Sequence, residues 1–501
     1  MKSNKKVNFL KKNKLFLGSI IFMISIVLFA IINLDKFKMI TNELFSVCTT
    51  YFGWLYLIAM LLFVIVSVCV AFSRYGNIKL GKKEDKPEYS NKSWFAMLFC
   101  AGMGVGLVFW GVSEPISHYI NPLGCEGGTI DASKFAFRTV FMHWGIHPWA
   151  CYAIVGLTVA YFKFKREKSG LISSTISNVI TNRIVLKIVD FLAVFATIAG
   201  IVTSLGLGVL QVNSGLNYLM NVPNNVSIQI VIIVLVTIIF IISAVSGINK
   251  GVKLLSNVNL ILAIFLTVFC FLIGPKLDIL NNLTSGLGGY LSNIIQDSLA
   301  IETYGDNSWL SSWRIFYWAW WVAWAPFVGI FIARISKGRT IREFILGVVL
   351  APTLASIIWF SVWGTLGISF GQDGRLTTEN LTNIAASPET GLFVVLSEYP
   401  LGVIISGLTL ALIVTFFVTS ADSGTYVLAM LTSEGNINPA KNKKIVWGII
   451  QAVLSILLLV CGGLKPLQTI SIVAALPFLC VMIVQIIALF KDLREEKEKN
   501  E

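Results

Sequence analysis

Long apolar runs recur along the whole chain, and they constrain the fold more than any other feature of the sequence. Each run is close to the ~20 residues that an α-helix needs to cross the hydrocarbon core of a bilayer. Of the 501 residues, 56% are hydrophobic and only 13% are charged, which is more apolar side chain than a soluble core can absorb. The sequence therefore predicts an all-α integral membrane protein. Twelve transmembrane helices are expected, at about 15–34, 52–73, 93–112, 139–162, 187–209, 228–248, 253–274, 313–334, 344–368, 399–421, 444–463 and 466–490.

Lysine and arginine are distributed unevenly between the two sets of loops. If the N-terminus is cytoplasmic, 31 of the 39 Lys and Arg residues fall on cytoplasmic segments. Short basic loops stay on the cytoplasmic side, so both termini are predicted to be cytoplasmic. The first apolar run is predicted to be a membrane helix rather than a signal peptide, because it is too long and no small-residue cleavage pattern follows it.

The net charge of +13 follows from these basic loops. Basic loops next to a membrane favour anionic lipid as a partner over nucleic acid, which is not expected to bind. The eight cysteines are scattered without a CxxC pair, so neither a disulfide framework nor a metal ribbon is indicated.

Sequence motifs of enzymes are missing, since the chain has no HExxH, GxSxG or P-loop pattern. The paired histidines His143 and His147 have the four-residue spacing of a metal pair. No third ligand accompanies them in the sequence, and hydrogen bonds to neighbouring helices are the favoured interpretation. No enzymatic activity and no cofactor are predicted.

Four tryptophans lie within seven residues in the stretch WAWWVAW, Trp318–Trp324. At 100° per residue, Trp320, Trp321 and Trp324 share an arc of roughly 100°, while Trp318 lies to one side. An interfacial aromatic belt is the alternative, but belt residues flank a helix, as Trp313 does. The three tryptophans are expected mid-span, which favours a binding site.

A cluster of aromatic faces suits a cation that cannot donate hydrogen bonds. A quaternary ammonium group is such a cation, and each desolvated ring contact contributes on the order of 1–2 kcal/mol. The stretch HWGIHPWACY offers Trp144, Trp149 and Tyr152 from a second helix. The sequence predicts that the two groups of rings form an aromatic cage.

Three long segments resemble the betaine/choline/carnitine transporter family. They are FYWAWWVAWAPFVGIFIARISKGRTIREF at 316–344, FCAGMGVGLVFWGVSEP at 99–115 and FFVTSADSGTYVL at 416–428. The resemblance extends from about residue 15 to 490. It implies a bacterial cell-membrane protein and, from the family alone, a homotrimer.

The family resemblance also implies a LeuT-like core of two inverted five-helix repeats, formed by helices 3–7 and 8–12. Because five is odd, the second repeat enters the membrane from the opposite side. The expected segments are a cytoplasmic N-terminal arm (1–14), two peripheral helices with loops (15–92), the first repeat (93–274), an extracellular loop with an amphipathic helix (275–312), the second repeat (313–490) and a short cytoplasmic tail (491–501).

Within the third helix, Gly102, Gly104 and Gly106 each lower helix stability by roughly 1 kcal/mol relative to alanine. An unwound stretch is expected there, and close packing of helices through small residues is the alternative. An unwound stretch places backbone amides and carbonyls at mid-membrane, where they bind an anionic head group and a cation.

The resemblance implies a sodium ion as the coupling ion. The positions that match the family's ligands are the main-chain carbonyls of Cys100, Met103 and Phe416 and the hydroxyls of Thr419 and Ser420. Alone, a Thr-Ser pair in a membrane helix usually bonds back to its own helix. Its place beside ADSG in the family motif is what indicates an ion site.

The sequence and the resemblance together predict a sodium-coupled transporter that imports a zwitterionic quaternary ammonium solute, glycine betaine first, by alternating access. Choline-preferring members of the family have aspartate at the position of Gly106, so glycine here indicates betaine over choline. The alternatives are a sodium-independent exchanger of carnitine-like solutes, a choline transporter and, from another class, a channel or membrane receptor.

Overall fold

The computed structural model describes residues 13–246, 251–436 and 438–498. Within these ranges the chain is helical, and its β-contact is an isolated bridge between Lys79 and Thr340. The predicted all-α class is confirmed. Most of the predicted N-terminal arm and the last three residues of the tail lie outside the described residues.

Nineteen α-helices follow one another in the described chain. They are α1 (Lys14–Ile32), α2 (Leu34–Phe72), α3 (Asn91–Gly102), α4 (Val105–Ile120), α5 (Ile130–Trp144), α6 (Ile146–Ala160), α7 (Ile172–Ile176), α8 (Arg183–Met220), α9 (Val226–Ser246), α10 (Gly251–Ile273), α11 (Lys276–Ser298), α12 (Ser308–Leu310), α13 (Phe316–Ile335), α14 (Ile341–Gln372), α15 (Thr378–Ala386), α16 (Pro388–Ser397), α17 (Gly402–Leu431), α18 (Lys441–Gly462) and α19 (Leu464–Glu498).

Eleven helical segments of the described chain are long and apolar enough to cross a membrane. The sequence predicts twelve, and the difference is the run at 93–112. That run is divided between α3 and α4, which have 12 and 16 residues, each shorter than the roughly 20 residues of a full span.

The break between α3 and α4 occurs in the glycine stretch, where the sequence predicts unwinding. Helix α3 ends at Gly102, Met103 and Gly104 have extended backbones, and α4 begins at Val105. Glycine lowers helix stability, so the chain leaves the helix where propensity is weakest. The break exposes the last carbonyls of α3 and the first amides of α4, which have no partner within their own helix.

A second break, which the sequence analysis did not predict, separates α5 from α6 at Gly145. The backbone there has φ −96° and ψ −129°. The N–H of Ile146 donates to the hydroxyl of Tyr290 on α11, 3.1 Å away. A side chain distant in sequence therefore satisfies an amide that the break frees.

The helices that carry the tryptophans form the centre of the molecule. Helix α13 packs against α6, α8 and α19, and α4 packs against α14. In the most apolar stretch of the segment that contains α13, 94% of the residues are buried, compared with 17% in α1 and 22% in α10. Helices α1 and α10 therefore present apolar side chains to lipid, and the tryptophans of α13 lie inside the bundle.

Candidate functional site

A cavity lies where the broken helix meets α5 and α13. Four tryptophans and three glycines contribute to its wall together with Val105, Leu107 and Ser204. The four tryptophans are Trp144, Trp320, Trp321 and Trp324, and the glycines are Gly102, Gly104 and Gly106. The structure thus brings the predicted glycine stretch and four of the six predicted aromatic residues to one place.

The rings in the wall contact one another directly. The ring of Trp144 is edge-on to Trp321, with 5.0 Å between ring centroids, and to Trp320, at 6.2 Å. Trp320 and Trp321 are stacked at 5.6 Å with an interplanar angle of 22°. All three rings are at least 95% buried, so a cation between them would contact π-faces out of water.

Glycine at the helix break allows the rings to approach the backbone. A Cβ atom at Gly106 would lie 2.4 Å from Cη2 of Trp320, and one at Gly102 would lie 2.4 Å from Cη2 of Trp149. Gly200 on α8 has the same relation to Trp324, whose Cδ1 would be 2.5 Å away. These three glycines therefore leave the space that three tryptophan rings occupy.

Trp149 and Tyr152 lie beside the cavity rather than in its wall. Tyr152 is edge-on to Trp321 at 5.8 Å and to Trp149 at 5.6 Å. Trp318 lies elsewhere and stacks on His147 at 5.1 Å. The arc predicted from the helical period therefore distinguishes Trp318 from the three tryptophans that line the cavity.

The cavity has a volume of about 20 Å³, which is room for about one water molecule. A trimethylammonium group is several times larger than a water molecule. The rings must therefore move apart before such a group can lie between them.

A buried carboxylate, which the sequence analysis did not single out, lies behind the cavity. Glu114 on α4 is fully buried. Its Oε2 accepts hydrogen bonds from Trp144 Nε1 at 2.7 Å and from the Tyr317 hydroxyl at 2.5 Å. Its Oε1 is 2.7 Å from His143 Nδ1 and 3.3 Å from His118 Nε2. The available signal was an acidic residue two positions beyond the apolar run at 93–112, since acidic residues in a membrane helix are rare unless they have a function.

His143 and His147, whose spacing resembles that of a metal pair, form hydrogen bonds with different partners. His143 bonds to Glu114, whereas His147 bonds to the hydroxyl of Ser298 on α11 at 2.8 Å. Hydrogen bonds to neighbouring helices thus account for both. The ligand atoms of Glu114, His118 and His143 lie within 4.8 Å of one another, close enough for a metal ion. Both imidazoles face Oε1 of Glu114 as hydrogen-bond partners, while Nδ1 of His118 and Nε2 of His143 have no hydrogen-bond partner among the described residues.

Of the residues predicted to bind sodium, Ser420 lies against the helix break. A Cβ atom at Gly104 would lie 3.1 Å from the Ser420 hydroxyl oxygen, so α17 meets the break at the predicted pair. The Thr419 hydroxyl donates to carbonyls of its own helix, including that of Phe416 at 3.1 Å, and accepts from Asn259. Cys100 and Met103 lie at the end of α3, where helix carbonyls lack partners within the helix, and their role as sodium ligands stays a prediction.

Comparison with protein families identifies the chain. The model for "BCCT, betaine/carnitine/choline family transporter" matches residues 14–498. The chain belongs to this transporter family. The predicted family is confirmed, and the chain is a multi-pass membrane transporter rather than an enzyme.

Three relatives of the transporter are similar along nearly their whole length. A glycine betaine transporter, OpuD, of Bacillus subtilis is 47% identical over 480 residues, covering 94% of this chain and 93% of the relative. An ectoine/hydroxyectoine transporter of Virgibacillus pantothenticus is 42% identical and covers 93% of each chain. An osmo-independent choline transporter, BetT1, of Acinetobacter baylyi is 38% identical, covering 89% of this chain and 87% of the relative.

Proposed function

We propose that the transporter imports a zwitterionic quaternary ammonium solute, glycine betaine first, by sodium symport and alternating access. The observation that carries the proposal is that four tryptophans and the N-terminus of α4 line the same cavity. The similar relative named a glycine betaine transporter supports the same solute. The aromatic rings bind the trimethylammonium group, and the helix N-terminus binds the carboxylate.

The chemistry of the cavity wall favours a zwitterion over choline. The residues that form it are glycines, tryptophans, Val105, Leu107 and Ser204, and none of them carries a carboxylate. A zwitterion neutralises its own charge, whereas choline gains from an acidic partner when its cation leaves water. The free amides at the start of α4 and the positive end of its dipole attract the carboxylate of betaine.

Sodium is the proposed coupling ion, held by main-chain carbonyls of Cys100, Met103 and Phe416 and by the hydroxyls of Thr419 and Ser420. Gly104 joins this set to the solute cavity, because it lines the cavity and lies against Ser420. An ion at this position would hold α17 against the broken helix. Sodium binding would thereby favour the arrangement of the break that binds the solute.

The proposed placement in the membrane follows from the basic loops. Both termini are cytoplasmic in a bacterial cell membrane, the transporter assembles as a homotrimer, and anionic lipids bind the cytoplasmic loops. Lys14 and Lys187 support the lipid contact, since they line one groove together with the apolar side chains of Leu15, Ile188 and Phe191, and Asp190 and Glu434 line its other part. Basic side chains above apolar ones suit an anionic head group and its acyl chain.

Uptake by proteoliposomes tests the function. Labelled glycine betaine should accumulate against its gradient when sodium is higher outside, and replacing sodium by potassium should abolish accumulation. Counterflow of labelled solute without sodium would instead show an exchanger, and flux that never exceeds equilibrium would show a channel. Competition by choline, carnitine, proline betaine and ectoine against labelled betaine ranks the solutes.

A further inference from the structure

The side chain of Glu114 links the cavity to a buried polar network. We propose that Glu114 is a positioning residue that strengthens the binding of the quaternary ammonium group through Trp144. The proposal rests on the proposed function, because it assumes a cationic group between the rings. The role of Glu114 gives a specific cause for the affinity of the cavity for the quaternary ammonium group.

Four donors surround the carboxylate of Glu114, two at each oxygen. Trp144 and Tyr317 donate to Oε2, and His143 and His118 face Oε1. A carboxylate has about four lone-pair sites and only accepts hydrogen bonds, so each histidine must donate to it. This arrangement of donors stabilises the anion.

Trp144 is the member of the cavity wall that binds this anion. Its N–H lies 2.7 Å from Oε2 of Glu114, and its ring lines the cavity. A hydrogen bond to an ionised acceptor is roughly twice as strong as one between neutral groups. Donation of the N–H to an anion shifts electron density onto the indole ring. A ring with more electron density attracts a cation on its face more strongly.

The other cavity tryptophans have different environments. Trp321 donates to the neutral backbone carbonyl of His143 at 2.9 Å. In the described part of the chain, the indole N–H groups of Trp320 and Trp324 have no hydrogen-bond partner. Trp324 therefore serves as an internal control, because it lines the same cavity without receiving charge from a carboxylate.

The same network also fixes the geometry of the wall. Glu114 holds Trp144 directly and Tyr317 directly, and the ring of Tyr317 lies 5.7 Å from that of Trp144. His143, bonded to the carboxylate through its side chain, holds Trp321 through its carbonyl. Removing the charge at Glu114 should therefore affect Trp144 first and Trp321 less directly.

Double-mutant cycles on the purified full-length transporter test the proposal. The dissociation constant for glycine betaine is measured for the native protein, Glu114→Gln, Trp144→Phe and the double variant. Each single substitution should weaken binding about tenfold. The double variant should be no more than about twofold weaker than the weaker single variant, because residues in contact are not additive.

The control cycle pairs Glu114→Gln with Trp324→Leu. Here the effects should multiply, giving about a hundredfold weaker binding, because independent sites are additive. Multiplicative effects in the Trp144 cycle would overturn the proposal, since Glu114 would then act on the solute without Trp144. Native affinity in Glu114→Gln would overturn it as well.

Tyr317→Phe provides a second test that does not depend on the folding of Glu114→Gln. It removes one donor from Oε2 but keeps the bond to Trp144, so the affinity should stay within about twofold of native. A tenfold loss would show that the whole network, rather than Trp144, sets affinity. If the native protein binds choline instead of betaine, the proposed function fails, and the same cycles with choline still decide the role of Glu114.

Discussion

At the scale of single residues, Trp324 offers the most direct test of the aromatic cage. Trp324→Leu keeps an apolar side chain but removes the ring quadrupole. The affinity for glycine betaine should weaken at least about tenfold, which is roughly 1.4 kcal/mol. Trp318→Leu is the matched control, since Trp318 is buried on the same helix but stacks on His147. Equal affinities in the native protein and Trp324→Leu would remove Trp324 from the site.

Alanine substitutions at Thr419 and Ser420 test the proposed sodium site. Removing either oxygen with alanine should raise the sodium concentration for half-maximal uptake several-fold, while betaine binding at saturating sodium changes less. Thr415→Ala is the control, because Thr415 lies one turn earlier and bonds only to carbonyls of its own helix in the described contacts. A sodium dependence shared by all three variants and the native protein would exclude both hydroxyls as ligands.

Substitutions at Gly106 test whether this position selects a solute with a carboxylate over one with only a cation. Gly106→Asp should enable choline transport, since a carboxylate compensates the unpaired cation. The same substitution should weaken the binding of betaine, because the aspartate repels the carboxylate of betaine. Any side chain here must also displace Trp320, because a Cβ atom would lie 2.4 Å from its ring. Gly106→Ala separates the two effects, as it adds the steric conflict without the charge. Choline uptake by the native protein that matched betaine uptake would show that Gly106 does not select the solute.

The residues of the cavity were predictable only in part. The helical period alone assigns Trp320, Trp321 and Trp324 to one face, because neighbours on a helix surface follow from sequence spacing. The role of Glu114 could not be predicted from helical spacing. Its donors come from three helices, at Trp144 and His143 on α5, Tyr317 on α13 and His118 on α4. Such a contact depends on how helices pack, which one sequence does not reveal.

At the scale of helices, the two breaks have different origins. The break between α3 and α4 is local, since glycine weakens the helix at Gly102 and Gly104, and the sequence predicts it. The break at Gly145 depends on a distant partner, because Tyr290 accepts the freed N–H of Ile146. The two short helices α15 and α16 were also not predicted, since their 9 and 10 residues are too few to form a hydropathy run.

Tyr290 provides the test at this scale. Burial raises the pKa of Tyr290, so its hydroxyl stays neutral and available to the Ile146 amide over the physiological pH range. Tyr290→Phe leaves the part-buried N–H of Ile146 without its acceptor, which should cost about 0.5–1.5 kcal/mol and lower the melting temperature of the purified protein. Tyr304→Phe is the control, because Tyr304 is fully exposed. Identical melting temperatures for the native protein and both variants would show that the Tyr290 bond does not stabilise the junction.

At the scale of the whole molecule, hydropathy and charge predict the all-α membrane class but not how the helices pack against one another. Apolar runs and helix length predict an all-α membrane protein because a bilayer excludes unpaired backbone groups. Packing decides which helices face lipid. The apolar stretches of α1 and of the α5–α6 segment both have lengths near a membrane span, yet 17% of the first and 94% of the second are buried. The inverted repeats remain a prediction from the family resemblance.

The orientation of the whole molecule can be tested with a natural cysteine. Cys125 is exposed in the loop between α4 and α5, which the excess of Lys and Arg on the other loops predicts to be extracellular. With the other seven cysteines replaced, an impermeant maleimide should label Cys125 in intact cells. Partial burial, followed by the nearby charge of Asp131, raises the pKa of this thiol. The thiolate is the reactive form, so labelling should accelerate as the pH rises.

The matched control places the single cysteine on the opposite side. Glu84 is exposed in the basic segment 74–92, which is predicted to be cytoplasmic. In the same background with Cys125→Ser, Glu84→Cys should be labelled only after the membrane is permeabilised. Labelling of Glu84→Cys but not of Cys125 in intact cells would invert the topology, and the N-terminus would then be extracellular. In that case the positive charges would lie on the wrong side for the positive-inside rule.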